Sequence, residues 1–300
     1  MVAFKTSPIK YIDGIPIFSK EDEYISNYNE ICSDHLLNVE ESGTNPFIEE
    51  ELWKDLEDST IKLIEKIGAP IVKESVVLDV GVGTGRLLDL VDAKEKYGLD
   101  ISISYLKKVK KLGVEVICSK VEDMPFEDSS FDIVFATDIL EHVLDLNKAI
   151  EHMTRVLKPN GYLIFRVPYK EDIEPYLTEE YPYEFSHLRN FDMSTIKALF
   201  TKIFEYEILD HSFSRPYYKP NNAKLRLLSE KSPLFDLLKS REVRYKKWHP
   251  LNFLSKLAVS QEELVASIYA LRDKHPDWFK YIESYIAEPL EISVLLQKRK

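Results

Sequence analysis

Three glycines fall at alternate positions, Gly81, Gly83 and Gly85, in the stretch VVLDVGVGTGRLLDLV (residues 76–91), just after an apolar run that ends in Asp79. Glycine tolerates positive φ and lets another group approach the main chain closely. A strand that runs into a glycine-rich turn and then a helix is a nucleotide-site signature. The spacing departs from the dinucleotide fingerprint G-x-G-x-x-G, whose third glycine, counted from Gly81, would fall on Arg86. Asp100 closes the next apolar segment, where a carboxylate can accept both hydroxyls of a ribose. Two histidines add a second kind of chemistry. His142 lies in ATDILEHV, just after a predicted strand, and His187 in YEFSHLRNFD. An imidazole titrates in the range needed to take a proton near neutrality, so both are candidate general bases. A capping or purely structural hydrogen bond is the competing role for each.

The elements that must position these residues follow from hydrophobic period. Residues 1–45 are irregular in pattern, with a turn signal at Asp13-Gly14. Residues 47–67 repeat apolar side chains at helical spacing (Phe47, Leu52, Leu56, Ile61, Leu63, Ile64, Ile67) and stop at Gly68-Ala69-Pro70. Strand-like runs then recur at 76–80, 96–100, 114–119, 131–137, 162–168 and 205–213. Helical patterns separate them, including LDLNKAIEHMTRVLKPNG, closed by Pro159 and Gly161, and STIKALFTKIF. This alternation predicts an α/β fold with a mostly parallel sheet and helices on both faces. Residues 221–286 break the rhythm with a polar, helical pattern, and 290–298 read as a returning last strand.

The 300 residues carry a formal net charge of −11, which disfavours nucleic acid as a partner, because phosphate backbones need clustered Lys and Arg. No apolar run approaches the roughly 18–20 residues that span a bilayer, and the N-terminus lacks the continuous apolar stretch of a secretory signal. The two cysteines, Cys32 and Cys118, have no metal-ligand spacing. They read as reduced thiols of a cytoplasmic protein, and no metal site is expected.

Taken in order, VLDVGVGTG, GLDIS, VEDMPFEDSSFDIV, LEHV and RVLKPNGYLIF closely resemble the class I S-adenosylmethionine-dependent methyltransferases. The likeness is greatest to the branch with the ubiquinone-biosynthesis type and many small-molecule and sugar methyltransferases. It covers about residues 75–210. YIDGIPIF is also similar to a segment that precedes some such domains, often after a zinc ribbon whose cysteines are absent here. The resemblance implies a Rossmann-like seven-stranded sheet with its last strand antiparallel, and S-adenosyl-L-methionine as cofactor over the carboxyl ends of the strands. It implies that Asp79 orients the turn or meets the cofactor ammonium through water. Gly81, Val82 and Gly83 would offer backbone to the methionine part, Asp100 would hold the ribose, and Ile101 would cover one adenine face. The Val121 N–H would reach an adenine ring nitrogen, while Thr137 and Asp138 would border the methionine. One position departs: relatives usually carry an Asp where this chain has Lys120, and a lysine cannot accept the bond from the adenine amino group. Glu122 is the carboxylate available to replace it.

The expected activity is methyl transfer to O or N of a small-molecule or sugar-derived acceptor. No D/N-P-P-Y follows the fourth strand, which argues against methylation of an exocyclic base amine. A protein methyltransferase and a non-catalytic cofactor-binding module of the same fold are the alternatives. The Pro-punctuated aromatic stretch 169–218 (Tyr169, Tyr176, Tyr181, Tyr183, Phe185, Phe191, Tyr217, Tyr218) reads as an acceptor pocket wall or a packed lid, and Tyr24 and Tyr28 as a cover for the cofactor carboxylate. The expected division is an N-terminal extension and helical cap (1–70), the cofactor-binding core (71–213), a helical insertion on the acceptor side (214–288) and the last strand of the core (289–300). Nothing in the sequence assigns an oligomeric state.

Overall fold

The computed structural model describes residues 2–42, 50–179, 181–214, 216–218 and 287–299. Residues Met1–Ser214 and Glu291–Lys300 make one compact unit and Arg215–Leu290 a second. Of the second, only a short antiparallel pair is described, β9 (Pro216–Tyr218) with β10 (Ala287–Pro289). The expected helical character of the insertion, and the side chains of Tyr217 and Tyr218, lie outside the described residues.

The first unit is built on nine strands among the described residues: β1 (Lys10–Ile12), β2 (Ile15–Ile17), β3 (Val76–Val80), β4 (Glu95–Asp100), β5 (Glu115–Cys118), β6 (Phe131–Thr137), β7 (Leu157–Pro168), β8 (Tyr206–Phe213) and β11 (Glu291–Lys298). They lie in the order β1-β2-β5-β4-β3-β6-β7-β11-β8. Strands β3 to β7 run parallel, and β11 enters antiparallel between β7 and β8. The seven expected strands are therefore extended by two. Residues 1–45, irregular in sequence pattern, supply the β1–β2 hairpin, which joins the β5 edge through Ile17 and Cys118, and then helix α1 (Glu23–Ser42).

Helices α2 (Glu50–Ile67), α3 (Ala69–Glu74), α4 (Arg86–Leu90), α5 (Ile103–Lys110), α6 (Leu146–Val156) and α7 (Met193–Lys197) complete the unit. Alternation along the strands sends neighbouring side chains into two cores. Leu78, Val134, Ala136, Leu163 and Phe165 pack with Ala149, Ile150, Met153 and Val156 of α6 and with Ile196 of α7. Val77, Ile133, Phe135 and Ile164 pack on the other face with Leu63 and Ile64 of α2, Leu88 of α4, and Leu106 and Val109 of α5. Helix α6 starts where the Asp145 carboxylate accepts the Lys148 N–H at 3.0 Å.

Helix α6 ends at Val156, ahead of the expected stop at Pro159 and Gly161, and β7 begins at Leu157. The cause is pairing across to β6. Leu157 sits opposite Phe131, and Lys158 Nζ reaches both Asp132 carboxylate oxygens at 2.9 Å. The STIKALFTKIF segment likewise divides into the short α7 and a π-helical turn over Ala198–Ile203.

The strand order places β3 centrally, with β4 and β5 to one side and β6 and β7 to the other. Ligands of open α/β sheets bind outside the carboxyl ends of strands at such a reversal. Gly98 of β4, paired with Asp79 of β3, leaves room there: a Cβ on it would stand 3.1 Å from the Val82 methyls. Gly98→Leu is therefore expected to lower stability by about 1–3 kcal/mol through overpacking. A urea titration with an unchanged midpoint would remove this account of Gly98.

Candidate active site

The turn after β3 is tied to the end of β4. The Gly81 and Val82 N–H groups both donate to Leu99 C=O, at 2.8 and 3.1 Å. The Gly83 N–H donates to Asp100 Oδ2 at 2.9 Å, and the Ser102 N–H to Asp100 Oδ1 at 2.8 Å. Gly81 (φ +71°) and Gly83 (φ +52°) occupy the left-handed region, which explains why other residues are disfavoured there. A Cβ at Gly81 would meet Ile139 at 3.0 Å, whereas one at Gly83 would meet open space. A carboxylate has about four acceptor sites, so the backbone N–H groups on Asp100 leave capacity for a ligand hydroxyl. Burial raises the Asp100 pKa, and the N–H groups of Ser102, Gly83 and Ile101 hold that rise back.

Buried carboxylates crowd the same edge of the sheet. Asp79 is 2% exposed and its Oδ1 has no hydrogen-bond partner among the described residues. Burial and the nearby Asp100 push its pKa up to about 8. Asp138, at the end of β6 with φ +56°, does not stand free: Arg166 of β7 donates to both of its oxygens. Arg166 Nε also lies 2.7 Å from Glu291 Oε2 at the start of β11. Glu141, 1% exposed, has neither carboxylate oxygen bonded among the described residues. Burial and the Asp138, Glu291 and Glu171 carboxylates raise its pKa well above the ordinary range. Thr137 is half-buried at the end of β6.

The Lys120 departure has a structural use. Its ammonium pairs with Asp22 ahead of α1 and stands 5.4 Å over the Tyr24 ring. Its N–H donates to Ser19 Oγ at 2.9 Å. Lys120 thus fastens the N-terminal segment to the end of β5. Val121 is buried in the 3₁₀ turn that follows. Glu122 Oε1 accepts the Asp145 N–H at 3.3 Å, which links this turn to the start of α6. Ile101 is half-buried beyond β4, its C=O 3.5 Å from Cys118 Sγ.

The structure brings His142 and His187 together, with ring centroids 4.6 Å apart. His142 Nδ1 lies 2.8 Å from the Tyr28 hydroxyl and 3.2 Å from Ser186 C=O. Burial and the neighbouring His187 push the His142 pKa down to about 3, so this imidazole is neutral at pH 7. His187 Nδ1 is bonded to Glu171 Oε2, and Glu171 Oε1 accepts the Tyr176 hydroxyl at 2.8 Å. The hydroxyls of Tyr28 and Tyr24 both point to His142, the latter to its C=O at 3.4 Å. Asn27 fixes Phe185 by a reciprocal pair of bonds at 3.0 and 3.3 Å. Tyr176 packs against Tyr181 and His187, and Phe185 against Tyr24, so this aromatic stretch is in part a packed cover. Sequence reasoning missed Arg166, Glu291, Glu141 and Glu171. Glu141 stood beside His142 in LEHV; Arg166 and Glu291 carried the one available signal, charge at strand ends.

Residues 78–165 match the family described as methyltransferase domain. An uncharacterized protein of Methanocaldococcus jannaschii is 40% identical over 90 residues, 30% of this chain and 43% of that protein. A malonyl-[acyl-carrier protein] O-methyltransferase of Marinomonas sp. is 30% identical over 105 residues, 32% of this chain and 39% of that enzyme. The chain spans less than half the length of either relative. A crystal structure from Thermotoga maritima, an SAM-dependent methyltransferase and possible histamine N-methyltransferase, superposes with a TM-score of 0.52 at 16% identity. That match covers 91% of this chain and 99% of the other. Residues 78–165 are thus similar to a methyltransferase domain, and the chain shares the Rossmann-like fold of that crystal structure.

The Asp79 shift has a definite sign. Its folded pKa lies above the model-compound value of 3.8, so the folded state holds the proton and loses that stabilisation as pH rises towards 8. The lowered His142 pKa acts in the opposite sense, but only below pH 6.5. The raised Glu141 carboxyl acts in the same sense as Asp79, so between pH 6.5 and 8 Asp79 is expected to contribute a slope of up to about 1.4 kcal/mol per pH unit to the loss of stability, and Asp79→Asn to make that loss shallower. Urea unfolding across that window tests this; a variant as pH-dependent as the parent would contradict it.

Proposed function

We propose that the chain is an S-adenosylmethionine-dependent methyltransferase acting on O or N of a small-molecule or sugar-derived acceptor. The observation that carries this reading is the turn Gly81–Gly83 locked to Asp100, with the buried, unpartnered Asp79 oxygen beside it. A carboxylate oxygen without a donor suits a ligand that brings an ammonium group, and the surplus of carboxylates at this edge suits a sulfonium. The same surplus repels a pyrophosphate, in keeping with the missing third glycine of the dinucleotide fingerprint.

When bound, S-adenosylmethionine supplies a methyl group on a positively charged sulfur, open to in-line displacement by an acceptor lone pair. The chain's own part is placement. On this reading Gly81, Val82 and Gly83 line the methionine part, and Asp79 takes its ammonium. Asp100 accepts the ribose hydroxyls, and Ile101 and Val121 border the adenine. Thr137 and Asp138 close the methionine side, where Arg166 holds the Asp138 carboxylate in place. The paired histidines and the aromatic cover define the acceptor side. Alignment of this kind can lower a barrier by roughly 7–11 kcal/mol without a base.

Calorimetric titration with S-adenosylhomocysteine, the demethylated product, tests the reading, with NAD as control. Binding of the former alone is expected, and Asp100→Ala should weaken it by about 1.5–3 kcal/mol, the scale of hydrogen bonds to a charged group. Heat with NAD and none with S-adenosylhomocysteine would refute the proposal.

A further inference from the structure

We propose that Glu141, His142 and His187 form a binding site for one divalent first-row transition-metal ion such as Zn²⁺. One donor atom from each lies within 4.8 Å of the other two, and Glu141 Oε1 stands 3.9 Å from His142 Nε2. The sequence shows no such set, because its two parts come from the loop after β6 and the long segment after β7. The loops are held together by backbone and side chain: the Leu188 N–H donates to Glu141 C=O at 2.9 Å, and Arg189 Nη1 to Leu140 C=O at 2.7 Å.

Three features separate this trio from an ordinary buried polar cluster. The Glu141 carboxylate is 1% exposed, and both of its oxygens lack a hydrogen bond among the described residues. A group so placed costs free energy that a cation would offset. Next, each histidine is held through its outer nitrogen. His142 Nδ1 faces the Tyr28 hydroxyl at 2.8 Å and Ser186 C=O at 3.2 Å, and the tautomer that donates to this carbonyl leaves Nε2 with its lone pair. Glu171 holds His187 Nδ1 and is itself fixed by the Tyr176 hydroxyl, which leaves His187 Nε2 available. A carboxylate or carbonyl behind each ligating imidazole is the arrangement that orients metal-bound histidines. Finally, the donor set decides the ion. Two imidazoles with one carboxylate suit zinc and its first-row neighbours, whereas magnesium and calcium favour oxygen alone. Ligand distances of about 2.0–2.2 Å would draw the three donors closer together than their present spacing. Three protein donors also leave a position for water or for an oxygen of an acceptor. The site uses no contact assigned to S-adenosylmethionine, so it stands or falls apart from the methyl-transfer reading.

The test uses the full chain stripped with a chelator and then titrated with Zn²⁺, and with Co²⁺ for its visible absorption. One equivalent of tightly held ion is expected, with a nitrogen-bound Co²⁺ spectrum and no displacement by equimolar Mg²⁺. Glu141→Gln and His187→Ala should each weaken uptake by more than about 100-fold, and Glu171→Gln by about 10–100-fold, as for loss of an outer partner. Circular dichroism checks that each variant folds, and either ligand variant suffices if the other does not. No stoichiometric uptake by the parent chain, equal displacement by Mg²⁺, or uptake undiminished in a folded ligand variant would overturn the proposal.

Discussion

One buried guanidinium organises the carboxyl edge of the sheet. Arg166 reaches Asp138 at the end of β6 and Glu291 at the start of β11, and its Nη1 lies 3.4 Å from the Thr60 hydroxyl on α2. It therefore links the middle of the sheet, its antiparallel strand and one covering helix in a site that is 3% exposed. A charge so deeply buried persists only when paired, and removal of either side leaves an uncompensated charge that costs about 3–5 kcal/mol.

The same pairing explains the electrostatics of the site. Arg166 bonds both Asp138 oxygens and pairs with Glu291, while Asp79, Glu141 and Glu291 are buried with oxygens left unbonded among the described residues. All three are pushed towards their protonated forms, Asp79 by burial and Asp100, Glu141 and Glu291 by burial and their acidic neighbours. One deficit of positive charge thus underlies two proposals. Beside the glycine turn it favours a cofactor that carries ammonium and sulfonium; beside the two histidines it favours a metal ion.

The N-terminal segment shows how a departure from a family pattern can be reused. Lys120 stands where the resemblance leads one to expect a carboxylate, and its ammonium pairs with Asp22 and covers the Tyr24 ring. Helix α1 then places Tyr28 on His142 and Asn27 on Phe185. The cover over the histidines is therefore made from a region whose sequence carries little periodicity of its own.

Local spacing alone determined much of this protein. Alternating apolar runs placed β3 to β8 and β11, since a strand buried on both faces has little choice but continuous Val, Ile, Leu and Phe. The glycines at 81 and 83 and the carboxylate at 100 marked the turn, because positive φ and a close approach of backbone restrict residue type strongly. Only the tertiary structure decided where α6 yields to β7, as the Phe131–Leu157 pairing overrides a helix pattern that continues to Pro159. It also decided that residues 10–17 and 23–42 are ordered, through contacts with Cys118 and Lys120 far along the chain. The state of each charged group is the clearest case. Asp138 and Glu141 are alike in sequence as isolated acids, and they differ because Arg166 bonds both Asp138 oxygens while neither Glu141 oxygen is bonded among the described residues. Burial and distance set that, and neither is written in the spacing of residues along one chain.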